Sequence, residues 1–223
     1  VILQKIGDID IPHIVDMAMM EMRFECSFYS YSAMKQNVGF GCHMLNVTPG
    51  SKQEFMPFLD TSSDCCVVAD ARIDYRTKLI EQLNLSKDQV QDISDSKLIL
   101  LSYLKWGKAC VGYLYGDFAF VIWDQSKNIL FCARDHLGCR PLYYIDREDY
   151  LAIASDPKAF NALPGFKYKI NDQFILDAIC SIIPNEDVQA YKEVNRLKPA
   201  HTLNYSSNKK IQLNRYWGLK VQE

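Results

Sequence analysis

Cysteine and histidine are the residue types in this chain with the widest chemistry, and there are eight of the first and four of the second. Thiolates and imidazoles can bind zinc, close disulfides or serve as nucleophile and base. The spacing argues against metal and against disulfides. Cys26, Cys42, Cys65, Cys66, Cys110, Cys132, Cys139 and Cys180 include no Cys-x-x-Cys pair, and the histidines do not gather with them into a ligand set. Most of the cysteines lie in apolar, strand-like text such as Asp64-Cys65-Cys66-Val67-Val68. That is the pattern of buried free thiols in a reducing, cytoplasmic compartment. Among the charged residues, Ser94-Asp95 opens a helix with good capping chemistry, and Asp117, Arg134, Asp135 and Arg140 stand at strand ends, where they satisfy turns and charge pairs.

These residues need elements to hold them. Val38 to Leu45 alternates loosely as a strand, and Cys65 to Ala69 is a short continuous apolar strand. Tyr75 to Leu83 has helical spacing, and a longer helix after Ser94 stops at Gly107. That helix is apolar on nearly every side, so it is expected to be covered all round. From Gly116 the text turns strand-rich. Gly116 to Trp123, Asn128 to Ala133, Leu142 to Ile145 and Tyr150 to Ala154 are joined by short polar turns, as in an antiparallel meander. Pro157 to Leu163 and Asp172 to Cys180 read as helices, and short strands return at Thr202 to Tyr205 and Gln212 to Tyr216. Strands and helices in separate blocks predict an α+β fold, with helices layered on antiparallel sheet.

Composition narrows the function classes. The 223 residues suit one large domain, with 48% hydrophobic and 23% charged content. A net charge of −2 and a pI near 6.1 leave no footprint for nucleic acid or an anionic membrane. No apolar run approaches the roughly 20 residues of a membrane span.

Several stretches, in order, carry a family resemblance: Ala71-Arg72-Ile73-Asp74-Tyr75-Arg76, Ser94-Asp95 with Tyr103-Leu104-Lys105-Trp106-Gly107, Gly116 to Asp124, Ala133 to Tyr144, Ser155-Asp156-Pro157-Lys158-Ala159-Phe160, and Arg196-Leu197-Lys198-Pro199 with Arg215-Tyr216-Trp217. Together they resemble the class II glutamine amidotransferase domain that begins asparagine synthetases. The resemblance implies a single domain over residues 1–223 with the four-layer αββα sandwich of N-terminal-nucleophile hydrolases. It also implies a partner: a C-terminal, ATP- and Mg-dependent synthetase domain of the same parent chain, with homodimerisation possible. No cofactor is expected in this chain itself.

The same resemblance locates a glutamine pocket, and here the text departs from the family. Hydrolysis of this class needs an N-terminal cysteine, whose counterpart would fall a few residues before Val1, so no catalytic residue is assigned. Cys26 lacks the expected context. The family's oxyanion-stabilising Asn-Gly pair is matched by Asp70-Ala71, and its carboxylate-gripping arginine by Met44, with His43 beside it. Asp95 matches the aspartate that holds the substrate amino group. The expectation is a degenerate domain that no longer hydrolyses glutamine, as in the β-lactam-synthetase and lasso-cyclase branches. Two alternatives stand beside it: the glutamine-hydrolysing domain of a true asparagine synthetase, in asparagine biosynthesis, whose leading cysteine is missing from this chain, and a non-enzymatic scaffold or dimerisation module.

Overall fold

The computed structural model describes residues 1–22, 29–35, 37–44, 54–86, 93–182, 189–206 and 210–219; Cys26 and Leu45 lie outside them. Two six-stranded antiparallel sheets are stacked face to face. The first contains β1 (Ile2–Gln4), β2 (Tyr29–Lys35), β3 (Val38–Met44), β8 (Tyr143–Asp146), β9 (Tyr150–Ala154) and β10 (Asn195–Arg196), ordered β10-β8-β9-β1-β3-β2. The second contains β4 (Phe58–Asp60), β5 (Cys65–Asp74), β6 (Tyr115–Asp124), β7 (Ile129–Arg134), β11 (His201–Tyr205) and β12 (Ile211–Arg215), ordered β12-β11-β7-β6-β5-β4.

Strand β6 explains why the layers hold together. Its alternate side chains go opposite ways: Phe118, Phe120 and Ile122 pack with the helices on one side, and Ala119, Val121 and Trp123 meet the first sheet on the other. A strand buried on both faces reads as a continuous apolar run, which is what this sequence has. Helices α2 (Arg76–Leu83) and α3 (Asp95–Trp106) close the outer face of the second sheet. Helix α1 (Ile11–Glu21) and the 3-10 segment Pro157–Ala162 close the outer face of the first. A further helix, α4 (Asp172–Ile179), buries Asp177. The layer order is the expected αββα.

Several local expectations need correction. The strand at Tyr143–Asp146 does not continue the meander of β6 and β7; it pairs with β9 in the other sheet, so the loop after Arg134 crosses between layers. Strand β5 runs on to Asp74 instead of ending at Ala69, because its whole length pairs with β6. The Pro157 segment is 3-10. Helix α3 leaves Leu104 40% exposed, so its cover is not complete. Strands β1, β2 and β4 and helix α1 give no signal strong enough to be read from the sequence; β1 and β4 have three residues each.

Candidate functional site

A cavity of about 930 Å³ opens where α1, β3, β5 and the start of α3 converge. Met44, Asp70, Ala71 and Asp95 all line it, so the fold brings together four positions that the sequence spreads from 44 to 95. Most of its wall is apolar, with Met19 from α1, Met44 from β3 and Met56 among the contributors. Met44 is 5% exposed and belongs to the core. A thioether there can fill space, but it cannot pair with a carboxylate.

The polar groups gather where β5 leaves the cover of β4. Beyond Val67, β5 pairs with β6, and no described strand pairs with its other edge. On the other side, the Ala69 N–H meets Met56 Sδ at 3.3 Å and the Ile73 N–H donates to Asp95 Oδ2 at 3.2 Å. Backbone N–H groups alternate in direction along a strand, so the Ala71 N–H points the same way, toward the cavity. The side chains of Asp70 and Ala71 leave opposite faces.

Asp95 sits in the first turn of α3, just past the N-cap. Ser94 is the cap, accepting from the Lys97 N–H at 3.3 Å. Asp95 is therefore released from capping. It accepts from Ile73 and forms an ion pair with Arg76, whose guanidinium also donates to the Ile93 carbonyl. Burial pushes the Arg76 guanidinium below its usual pKa, with Glu54 opposing that. Glu54 accepts from the Ser96 N–H at 3.1 Å at the same rim.

Arg140 is a site residue that sequence reading left among the turns and charge pairs at strand ends. Its guanidinium lies 3.3 Å from Asp70, a pairing across 70 positions that no local pattern could announce. The loop that presents it is tightly made. Asp135 accepts from the Leu137, Cys139 and Arg140 N–H groups at 3.1, 2.9 and 2.9 Å. Arg134, 2% exposed, donates to the Arg140 and Leu197 carbonyls at 2.6 and 2.7 Å and to the Gly138 carbonyl. Gly138 has φ +70°, and a Cβ there would lie 2.8 Å from the Arg134 guanidinium, so glycine is required on both counts. Burial raises the Asp70 pKa, against the pull of Arg140 and with a push from Asp117.

Among the described cysteines, Cys42 lies on the cavity wall. Burial pushes it up to about 12, and its sulfur donates to the His43 carbonyl at 3.7 Å, so it is no thiolate at neutral pH. A ring nitrogen of His43 lies 2.6 Å from the Met19 carbonyl, which ties the histidine to α1. Among the described residues no group of histidines, cysteines and carboxylates is arranged to hold a metal ion.

Known proteins share the sequence pattern of this chain over most of its length. The profile of a family described as the glutamine amidotransferase domain matches residues 29–217. The chain belongs to that family. Among relatives of this amidotransferase domain, the glutamine-hydrolyzing asparagine synthetase 3 of Bacillus subtilis is 32% identical over 152 residues, which is 67% of this chain and 24% of that protein. Amidase chyE of Penicillium rubens is 28% identical over 186 residues, 83% of this chain and 27% of that one. The domain thus spans about a quarter of the length of these curated relatives. Among solved structures, the glutamine phosphoribosylpyrophosphate amidotransferase of B. subtilis aligns at 16% identity and a TM-score of 0.48, over 71% of this chain and 30% of that one. Among the described residues no helix is long and apolar enough to cross a membrane.

Proposed function

We propose that this amidotransferase domain no longer hydrolyses glutamine and serves as the structural partner of an ATP-dependent amide ligase related to asparagine synthetases. The observation that carries this is the Asp70–Arg140 pair on the cavity wall. A tetrahedral intermediate needs preorganised donors at its oxyanion, and one such donor is worth about 3–4 kcal/mol. The backbone donor at Ala71 keeps its direction, but the side-chain donor is replaced by a carboxylate, an acceptor whose charge is matched by Arg140 instead of by substrate. Two further features support the same conclusion. Met44 leaves a substrate carboxylate unheld, and Asp95 is already matched to Arg76 where a substrate ammonium would sit.

The ligase domain would activate a carboxylate with ATP and Mg and draw its amine from a source other than glutamine. Both cofactors would bind there and not in this chain. Cys65, Cys110 and Cys132 are buried thiols, a usage that suits a reducing, cytoplasmic setting. The second reading, a glutamine-hydrolysing asparagine synthetase domain, is favoured by the retained place of Asp95 on the cavity wall.

A matched pair of variants tests this. The chain extended by Cys-Gly-Ile at its start should release no glutamate from glutamine above background. The same extension carrying Met44→Arg, Asp70→Asn and Ala71→Gly should regain turnover. With about 3 kcal/mol each for the donor and the carboxylate grip, the two should differ by about four orders of magnitude. Robust glutamate release from the extension alone would sink the proposal and favour the asparagine-synthetase reading.

A further inference from the structure

We infer that the cavity binds a neutral aliphatic carboxamide, with its alkyl chain along the methionine-rich wall and its amide between Asp70 and the Ala71 N–H. This rests on the proposed loss of glutamine hydrolysis and names what the altered pocket accepts. At about 930 Å³ the cavity falls within the range of small-molecule sites, roughly 300–1,000 Å³. Its methionine and aliphatic wall favours an apolar guest, and its charged rim offers a few polar groups to fix a head group.

Charge at the rim selects the head group. Asp70 is matched by Arg140 and Asp95 by Arg76; Arg72 lies 3.3 Å from Asp74 and 3.6 Å from Asp117. Glu54, on the same lining, accepts from the Ser96 N–H and faces the charge of Arg76, and the Val1 ammonium donates to the Ile153 carbonyl at 2.8 Å. An incoming carboxylate or ammonium would have to compete with these contacts, at a cost that the partial exposure of the pairs keeps modest. A carboxamide splits none. Its N–H groups donate to Asp70, and its carbonyl accepts from the Ala71 N–H, which parity along β5 points into the cavity. A free amino acid fits badly, because Met44 offers its carboxylate nothing and Arg76 already holds Asp95. The described lining therefore provides for an amide and a hydrocarbon chain, and not for an α-amino acid.

Methionine methyl groups report on this directly, because the chain has seven methionines in distinguishable places. Met19, Met44 and Met56 line the cavity, whereas Met17 and Met20 are 37% and 68% exposed on α1. The 223-residue chain, labelled with ¹³C at the methionine methyls, is titrated with octanamide, octanoate, octylamine and glutamine in turn. Octanamide should shift the Met19, Met44 and Met56 signals saturably and leave Met17 and Met20 in place. Octanoate and octylamine should bind at least tenfold more weakly, and glutamine should shift nothing at the same concentration. Ala18→Trp, which places an indole on the cavity wall, should abolish the octanamide response; a unique native spectrum would show that it still folds.

Equal binding of the three octyl compounds would overturn the amide assignment. Comparable shifts at Met17 and Met20, or a full response in Ala18→Trp, would overturn the site. No response to octanamide or to glutamine would overturn this inference alone and leave the proposed loss of hydrolysis to the glutamate assay. Saturable shifts with glutamine in place of octanamide would overturn this inference and count against the proposed function as well.

Discussion

Aromatic packing on the helix side of the second sheet contrasts with the methionine-lined space where α1, β3, β5 and the start of α3 converge. In the first region Tyr103 stacks on Phe131 at 5.6 Å, and Phe131 meets Phe120 at 5.9 Å, with Leu98, Ile99 and Leu100 of α3 closing over them. The phenol of Tyr103 donates to Asp124 at 3.0 Å, and that carboxylate also accepts from Ser126, the Lys127 N–H and the Lys127 ammonium at 2.7, 3.1 and 2.6 Å. The second region keeps its volume open, and its carboxylates are matched by arginines that come from elsewhere in the chain. One region spends its residues on filling space. The other holds a shaped void, which is what a binding site needs and a core does not.

The largest expected effect tests the filled region. Phe131→Ala removes a fully buried ring and should cost about 3–5 kcal/mol in urea or thermal unfolding. An unchanged melting temperature would erase the contrast. Asp124→Asn comes next, because it weakens hydrogen bonds made to a charged group; the expected loss at pH 7 is about 1.5–3 kcal/mol. Burial works against the Asp124 charge, but its hydrogen bonds from Lys127, Ser126 and Tyr103 prevail and hold its carboxyl below the usual range. A lowered folded pKa stabilises above the unfolded value and is lost as pH falls through the folded one. The gap between wild type and Asp124→Asn should therefore close on acidification, and a gap that widens would contradict the assignment.

One substitution made on both sides gives the sharpest comparison. Ala133→Leu, at a fully buried position in the packed core, should overpack it and cost about 1–3 kcal/mol. Ala18→Leu, on the cavity wall, should fill space and add about 0.5–2 kcal/mol. The same sign at both positions would mean that the void is not there in solution. Asp70→Asn should have the smallest effect, below about 1 kcal/mol, because Asp70 is half-exposed. Its sign is opposite to that of Asp124. Burial first of all raises its folded pKa, so wild-type stability should fall as pH rises from the unfolded value through the folded one, and Asp70→Asn should gain on wild type across that window. A loss over the same window would mean that the Arg140 pair outweighs burial.

The regular elements with a long, clear period were legible in the sequence. Ser94 as a cap, Gly107 as a stop, the β6–β7 and β8–β9 hairpins and the burial of Phe118, Phe120, Ile122 and Phe131 all follow from local pattern. Three-residue strands such as β1 and β4 carry too few alternations to announce themselves, and the loop from Arg134 to Leu142 looks like any polar turn until its two ends are seen in different sheets.

For the site, the residue types alone carry the proposed loss of hydrolysis: a methionine cannot pair with a carboxylate, and an ionised aspartate cannot donate to an oxyanion. What surrounds them was decided by the tertiary structure alone. Arg140 reaches Asp70 because Asp135 and Arg134 fix the shape of the loop that carries it, and Arg76 reaches Asp95 because α2 packs against α3, which lies on β5. Charge pairs and cavities depend on distances between segments remote in the chain, and a linear order of residue types contains no such distances.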